Sequence, residues 1–394
     1  VAVPLQDWVN TRSSITACNS AGCTPSTPIN PQRLMPDTIG YFKASNTDAG
    51  DFFGSSVVLS SDGSTLAVGA SGESSNATGV NGNQADDSSA SSGAVYVYRR
   101  EGRRWKQEAY LKGGVNQASQ EFGVSNGFDM KAIAVSGDGS WVVVGAAGES
   151  VNGIAFTGGV YVFRRAANGT WSLHSTLRSP ENFSVISNGF GYSVDITEDG
   201  RTLKVNSRLP RGEDSNYEGR THIYDFDGVT WTRTATVGPA LPGYYCSFVR
   251  MSGDGTTLTS LCYAYPSEQF RLTTRKRSGN AWVLVGNQVV GSSGSDQMVA
   301  LSFDGRTVAL REGLDEKSLG IYRWTGDTWT RESVISNQPE LSFPNMGHKV
   351  EFSRNAARVA IGDFQAAGVA VFDRTGNSAS PWRLRSVVPP PPGS

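Results

Sequence analysis

The residues that could do chemistry in this chain are oxygen-rich loops, dispersed carboxylates and tryptophans. The longest polar stretch is Glu73-Ser74-Ser75-Asn76-Ala77-Thr78-Gly79-Val80-Asn81-Gly82-Asn83-Gln84-Ala85-Asp86-Asp87. It is punctuated by glycine, and Glu73, Asn76, Asn81, Asn83, Asp86 and Asp87 offer the hard oxygen donors that a Ca2+ ion takes from a wrapping loop. Asp195, Glu198, Asp225, Asp227, Asp315 and Glu316 are available for acid–base chemistry, which in glycoside hydrolysis needs two carboxyls at a fixed separation. Nothing in their spacing singles out a pair. Gly123-Val124-Ser125-Asn126-Gly127 has the letters of a nucleophile elbow, but that motif works only on a strand-to-helix turn. Here it sits in strand-period sequence, so it reads as coincidence and no catalytic residue is assigned. His174, His222 and His348 lie far apart without metal-ligand spacing and read as ordinary strand or surface positions. Of the nine tryptophans, Trp8, Trp141 and Trp324 fall outside a repeating series and are the expected exposed aromatics for ligand contact.

Composition narrows the partners. The net charge is −1 and only 18% of residues are charged, which points away from nucleic acid and from an anionic membrane surface. No apolar run is long enough for membrane insertion. Arg99, Arg100, Arg103, Arg104 and Lys106 cluster after one predicted strand and read as a charged edge that discourages strand pairing. The four cysteines fall in two close pairs, Cys18 with Cys23 and Cys246 with Cys262. Without C-x-x-C spacing they are expected to form two disulfides in an oxidising compartment. The numbered chain begins at Val1 without a charged-then-apolar leader, as a processed product would. The expected location is therefore secreted or at the cell surface.

The elements that must carry these residues repeat. Phe53 to Ala70 reads F-G-S-S-V-V-L-S-S-D-G-S-T-L-A-V-G-A, a β-hairpin in which Val57 and Leu59 alternate with small residues and Asp62-Gly63 supplies a tight primed turn. Copies turn at Asp138-Gly139, Asp199-Gly200, Asp254-Gly255, Asp304-Gly305 and Asn355-Ala356. Each continues into a third strand such as Gly93-Ala94-Val95-Tyr96-Val97-Tyr98, then a fourth opening on Trp105, Trp171, Trp231, Trp282, Trp329 or Trp382. Four strands per unit, counted six times, predict an all-β protein, a β-propeller of four-stranded antiparallel blades. Seven blades result if the N-terminal strands complete one. The expected division is an irregular segment over 1–46, the propeller over 47–388 and a proline-rich tail over 389–394. The repeated tryptophans are expected to pack between blades.

The F-G-x-S-V and L-A-V-G-A elements at Phe53–Ala70, with Phe122-Gly123 and Phe190-Gly191, resemble the FG-GAP repeats of integrin α-subunit propellers and their bacterial relatives. Ala17-Cys18-Asn19-Ser20-Ala21-Gly22-Cys23 is similar to the closing strands of bacterial fibronectin type III modules. The first resemblance implies a secreted or surface propeller for adhesion or ligand binding. Its relatives often hold calcium in the hairpin loop, but here each turn offers a single carboxylate, which reads as turn chemistry. The expected function is therefore binding of a protein or glycan ligand, with assembly alongside like subunits or upstream domains. A polysaccharide-active hydrolase or lyase is the alternative, as is a structural filament subunit using the N-terminal extension and the extended Pro389–Pro392 run.

Overall fold

Local chemistry at the turn explains why the hairpin recurs. The Asp62 carboxylate accepts from the Ser60 hydroxyl at 2.6 Å, the Ser64 N–H at 2.9 Å and the Ser64 hydroxyl at 2.6 Å. Ser60 Oγ in turn accepts the Thr65 N–H at 2.9 Å. Ser136–Asp138, Thr197–Asp199, Ser252–Asp254 and Ser302–Asp304 repeat the contact, and Asn355 with Ser353 substitutes for it in the last copy. The turn differs from the primed type expected. Gly63 alone takes a positive φ, 67°, and its N–H bonds to the Ser60 carbonyl. Asp62 stays right-handed because its side chain caps the Ser64 amide, which gives a type I turn closed by a left-handed glycine.

The structure is a computed structural model that describes residues 16–19, 22–26, 42–102, 104–124, 131–181, 189–211, 216–240, 243–264, 269–292, 298–312, 318–336, 347, 349–363, 368–376 and 381–388. A short ladder pairs β1 (Thr16–Asn19) with β2 (Gly22–Pro25). The other strands form six four-stranded antiparallel sheets, each of consecutive strands. Blade one comprises β3 (Phe53–Leu59), β4 (Thr65–Ala70), β5 (Ala94–Glu101) and β6 (Arg104–Leu111). Blade two comprises β7 (Ile133–Val135), β8 (Trp141–Ala146), β9 (Gly159–Arg165) and β10 (Trp171–Leu177). Blade three follows as β11 (Ser193–Ile196), β12 (Thr202–Arg211), β13 (Asn216–Phe226) and β14 (Trp231–Val237). Blade four holds β15 (Tyr244–Met251), β16 (Thr257–Ala264), β17 (Gln269–Ser278) and β18 (Ala281–Ser292). Blade five is β19 (Val299–Leu301), β20 (Thr307–Glu312), β21 (Ser318–Trp324) and β22 (Trp329–Ser336). Blade six closes the chain with β23 (Lys349–Phe352), β24 (Arg358–Asp363), β25 (Gly368–Arg374) and β26 (Trp382–Val388). The N-terminal ladder stands as its own two-stranded sheet, so the count is six blades.

First strands meet in succession, β3 with β7, β7 with β11, β11 with β15, β15 with β19 and β19 with β23, so they line the axis of the ring. Aliphatic cores fill the seams. Val95 and Val97 pack against Val142 and Val144, Val160 and Val162 against Val194 and Leu203, and Leu319 and Ile321 against Val359 and Ile361. Trp171, Trp231, Trp329 and Trp382 are buried at seams between blades, as their regular spacing implied, whereas Trp105 and Trp282 of the same series are only partly buried, Trp105 against Phe42. The F-G dipeptides work here too. Phe122 and Phe190 are fully buried, and a Cβ added to Gly145 would collide with the Gly191 carbonyl. Glycine is thus needed where two blades bring backbone onto backbone.

The seam between blades six and one is different. Among the described residues no strand pair joins them as the others are joined. The exposed side of blade one is covered instead by Phe42, whose ring stands edge-on to Tyr98 at 5.3 Å and Trp105 at 5.6 Å, and by Ala44. Val57 and Leu59 remain 59% and 52% exposed, whereas their alternation predicted a core face.

The Cys246–Cys262 disulfide links β15 to β16. Cys23 is disulfide-bonded and stands opposite Cys18 in the β1–β2 register. No helix is long and apolar enough to cross a membrane among the described residues.

Candidate functional site

The insertion between β4 and β5 is tied down by its own residues. Glu73 is buried, with Oε2 2.7 Å from Lys112 Nζ and Oε1 accepting from Tyr110 Oη at 2.8 Å and Asn46 Nδ2 at 3.0 Å. Burial pushes its carboxyl up, but the Lys112 charge and the hydrogen bonds from Lys112, Tyr110 and Ser75 hold it below the ordinary range. The expected calcium ligand Glu73 thus has both oxygens engaged by protein donors, Oε2 by Lys112 and Oε1 by Tyr110 and Asn46. Blade two repeats the device with Glu149, which meets Arg178 at 2.7 Å and Tyr161 Oη at 2.7 Å. The recurring Gly-Glu at 72–73 and 148–149, matched by Leu-Lys at 111–112 and Leu-Arg at 177–178, is the sequence signal for it.

The remaining loop oxygens are engaged within the loop or by the adjoining β6 strand and its following turn. Asp86 accepts from the Asn76 and Ser88 amides at 3.0 Å each, Asn81 from the Tyr110 amide at 2.9 Å and Asn83 from the Ala85 amide at 3.1 Å. Asn76 faces Asn116 at 3.3 Å, and Asp87 is exposed. Among the described residues no group of three or more His, Cys, Asp and Glu side chains is gathered to hold a metal.

At the hairpin end the turns of blades one to five are linked in series around the axis. Asp62 donates its amide to the Gly137 carbonyl, Gly137 to Glu198, Glu198 to Gly253 and Gly253 to Phe303, at 2.9–3.0 Å. A Cβ on Gly137 would strike Glu198, and one on Gly253 would strike the Phe303 ring. From blade six, Arg354 reaches Glu198 of blade three at 2.8 Å and lies 5.0 Å over the Phe303 ring. Deeper in, Asp195 contacts Lys204 at 2.9 Å and Lys131 at 3.5 Å. Burial raises the Asp195 carboxyl, yet Lys204, Lys131 and Arg250 together bring it down to about 2. Lys204, fully buried, is pushed down by burial to about 8.

The candidate acids are therefore committed elsewhere. Asp225 accepts from Arg277, Thr202 and Thr234, and Asp227 caps its turn through the Val229 and Thr230 amides. Asp315 and Glu316 lie outside the described residues, as do His348, Ser125 and Trp8. His222 is buried between Ser207 and Thr236, and burial, with Arg233 and Arg220, lowers it to about 4. His174 packs between Trp141 and Phe226.

Trp141 is only 5% exposed, which corrects its expected exposure. It opens β8 at the seam position that Thr65, Thr202, Thr257 and Thr307 hold in other blades, and it is enclosed by Trp231 at 5.6 Å, Phe226 at 5.0 Å and the Arg164 guanidinium at 5.0 Å. Trp324 is half-buried and lines an open cavity of about 380 Å3 at the hairpin end of the seam between blades four and five. Lys276, Arg306, Arg323, Thr325 and Gly326 complete the lining.

Comparison of the seams shows how this cavity arises. At the end of each third strand, one residue faces the fourth-strand Trp of its own blade: Arg100, Arg165, Phe226, Arg277, Trp324 and Arg374. Arg165, Phe226, Trp324 and Arg374 also reach the fourth strand of the preceding blade, whereas Arg277 reaches Asp225 on the third strand of blade three. Arg165 meets Glu108 at 2.6 Å, and Arg374 pairs with Glu332. Phe226 meets His174 at 5.4 Å. Between blades four and five, Trp324 lies against Gly286, where a Cβ would stand 2.7 Å from the indole. The Arg–Glu pair of the seams between blades one and two and between blades five and six is replaced here by Trp–Gly, which brings no carboxylate.

No protein-family model matches the chain, and no curated protein matches it in sequence. Solved structures match across nearly its whole length. The Cps50 (Swd1) β-propeller domain of Myceliophteria thermophila superposes with a TM-score of 0.54 at 10% identity, over 89% of each chain. The periplasmic gluconolactonase of Pseudomonas aeruginosa gives 0.54 at 16% identity over 96% of this chain and 92% of its own. A putative 6-phosphogluconolactonase of Bacteroides fragilis gives 0.53 at 13% identity over 97% and 96%. At such identities the likeness establishes a shared β-propeller fold.

Proposed function

We propose that this protein is a secreted or surface-exposed binding propeller that recognises a glycan or protein ligand on the hairpin end of its ring. The observation that carries this reading is the engagement of the carboxylates near the axis: Asp195 is paired with Lys204 and Lys131, and Glu198 with Arg354 at the hairpin end. Every described carboxylate considered for acid–base work is spent on a cation or a turn. A hydrolase would need two free carboxyls facing a shared opening. Propellers host both binders and enzymes, so the site rather than the fold decides. The FG-GAP resemblance of Phe53–Ala70 supports kinship with adhesive propellers, and the Cys246–Cys262 disulfide is compatible with an extracellular setting.

Array screening against glycans and extracellular proteins, run beside turnover assays on sugar lactones and polysaccharides, tests the reading. Saturable binding without turnover is expected. Turnover abolished by Asp195→Asn or Glu198→Gln overturns it.

A second reading, a subunit that assembles with like subunits, is favoured by the seam between blades six and one. Val57 and Leu59 on one side, and Val369 and Val388 at 38% and 56% exposure on the other, are apolar surface of the kind that marks an interface. Light scattering on a size-exclusion column separates the two readings, with a monomer at high concentration counting against assembly.

A further inference from the structure

We propose that the cavity between blades four and five is a binding site for an anionic sugar unit, a uronate or a sulfated monosaccharide within a glycan. The inference rests on the binding reading above and names the class of ligand. Three cations converge on the cavity, Lys276 from the third strand of blade four and Arg306 and Arg323 from blade five. Among the described residues none of the three is ion-paired with a carboxylate. The positions that neutralise charge at other seams, Glu108 and Glu332, are matched here by the stretch around Gly286. Lys276 is held in place by donating to Thr257 Oγ1 at 2.6 Å. Burial depresses its ammonium, with Arg306 pressing in the same direction against Asp254 and Asp304. An anion entering the cavity relieves this crowding of positive charge, and guanidinium forks match carboxylate and sulfate oxygens.

The remaining wall selects a sugar. Trp324 is fixed by Trp329, whose ring lies 5.2 Å away, and by the Gly286 backbone, leaving part of its indole on the cavity. An apolar aromatic wall beside charged groups and the Thr325 hydroxyl fits an amphipathic ring with a C–H face and an anionic substituent. The volume of about 380 Å3 lies at the small end of ligand pockets, suited to one or two sugar residues. The chain's net charge of −1 gives no extended field for a nucleic acid backbone.

The test is calorimetric titration of the full chain with a sulfated disaccharide, a uronate disaccharide, the neutral disaccharide of the same skeleton, inorganic sulfate and an Asp/Glu-rich peptide. One or both anionic disaccharides should bind saturably and at least tenfold more tightly than the neutral one. Arg306→Gln and Arg323→Gln should each weaken binding about tenfold or more, the loss expected for one charge-assisted hydrogen bond, with an unchanged melting temperature showing intact folding. Trp324→Leu should reduce disaccharide affinity while leaving any weak sulfate binding in place. Equal affinity for inorganic sulfate, or tighter binding of the peptide, overturns the sugar assignment. A glycan bound as well by the arginine variants overturns the site and leaves the binding reading standing. Failure to bind any of the probes overturns the site, and the turnover assays then decide the broader reading.

Discussion

Removing one half of the Glu73–Lys112 pair should be among the most damaging single changes outside the aliphatic cores. Both side chains are 1% exposed and their charged atoms lie 2.7 Å apart. At an effective dielectric constant near 20 the attraction at that distance is roughly 6 kcal/mol before desolvation is subtracted. Breaking such a pair strands a buried charge and costs about 3–5 kcal/mol. With an unfolding entropy of about 2 cal/mol/K per residue, 394 residues convert a 4 kcal/mol loss into a drop of about 5 °C in melting temperature.

Lys112→Met should show that drop at pH 7 and recover part of it on acidification. Without Lys112 the Glu73 carboxyl rises above its unfolded value, so the fold gains relative stability as protonation neutralises it. The parent behaves oppositely. There Glu73 titrates below its ordinary value, so its contribution is present above the unfolded pKa and is lost as pH falls through the folded one. Thermal melts from pH 4 to 8 on the parent, Lys112→Met, Glu73→Gln and the double Glu73→Gln/Lys112→Met variant measure the coupling. A double variant as unstable as the sum of the singles, or a Lys112→Met variant with no acid recovery, refutes the buried pair.

Asp195, at about 2 against an ordinary 3.8, should contribute about 2–3 kcal/mol above pH 4 that disappears as pH falls toward 2; acid-induced unfolding should be shallower in Asp195→Asn. That variant also leaves Lys204 buried without the carboxylate that raises its pKa, so its stability should rise with pH from below the parent's value of about 8 up to the ordinary lysine range, the direction expected for a lysine whose folded pKa is depressed. Gly145→Ala forces a methyl group onto the Gly191 carbonyl and should cost about 1–3 kcal/mol in urea unfolding, while Gly153→Ala, at an open turn position, should cost less. Calcium titrated into the parent should give no saturable heat, because Glu73 is spent on Lys112 and Asp86 on the Asn76 and Ser88 amides. A saturable heat lost in Asp86→Ala/Asp87→Ala would reinstate the loop as a cation site.

What was legible in the sequence is what local chemistry decides. The Ser-x-Asp-Gly turns announce themselves because Asp62 and its copies bond residues within four positions, and the fourth-strand tryptophan is legible because the repeat returns it to the same place in every blade. Which face of a strand is buried depends on the neighbouring blade. Val57 and Leu59 have the alternation of a core strand, yet both stay exposed. Trp141 looked free because it breaks the fourth-strand series, but it occupies a seam position filled elsewhere by threonine.

The cavity was hidden more deeply. It comes from a pairing between Trp324 and Gly286 across two blades, with β-bulges offsetting the register of β17–β18 and β21–β22. Only the spatial match to Arg165–Glu108 and Arg374–Glu332 reveals what is missing there. The Glu73 pair had a signal, the repeated Gly-Glu and Leu-cation elements, and the polarity of the surrounding loop masked it.

The central claim, a binding propeller whose candidate acids are committed to ion pairs and turns, meets its most direct test in one incubation. The protein is mixed with an anionic disaccharide, the bound fraction is measured by equilibrium dialysis, and the sugar is recovered and weighed by mass spectrometry. The account predicts saturable retention, weakened by added salt and by Arg323→Gln, with the disaccharide recovered unchanged. Recovery of cleaved or eliminated sugar, with activity lost in Asp195→Asn or Glu198→Gln, would contradict it.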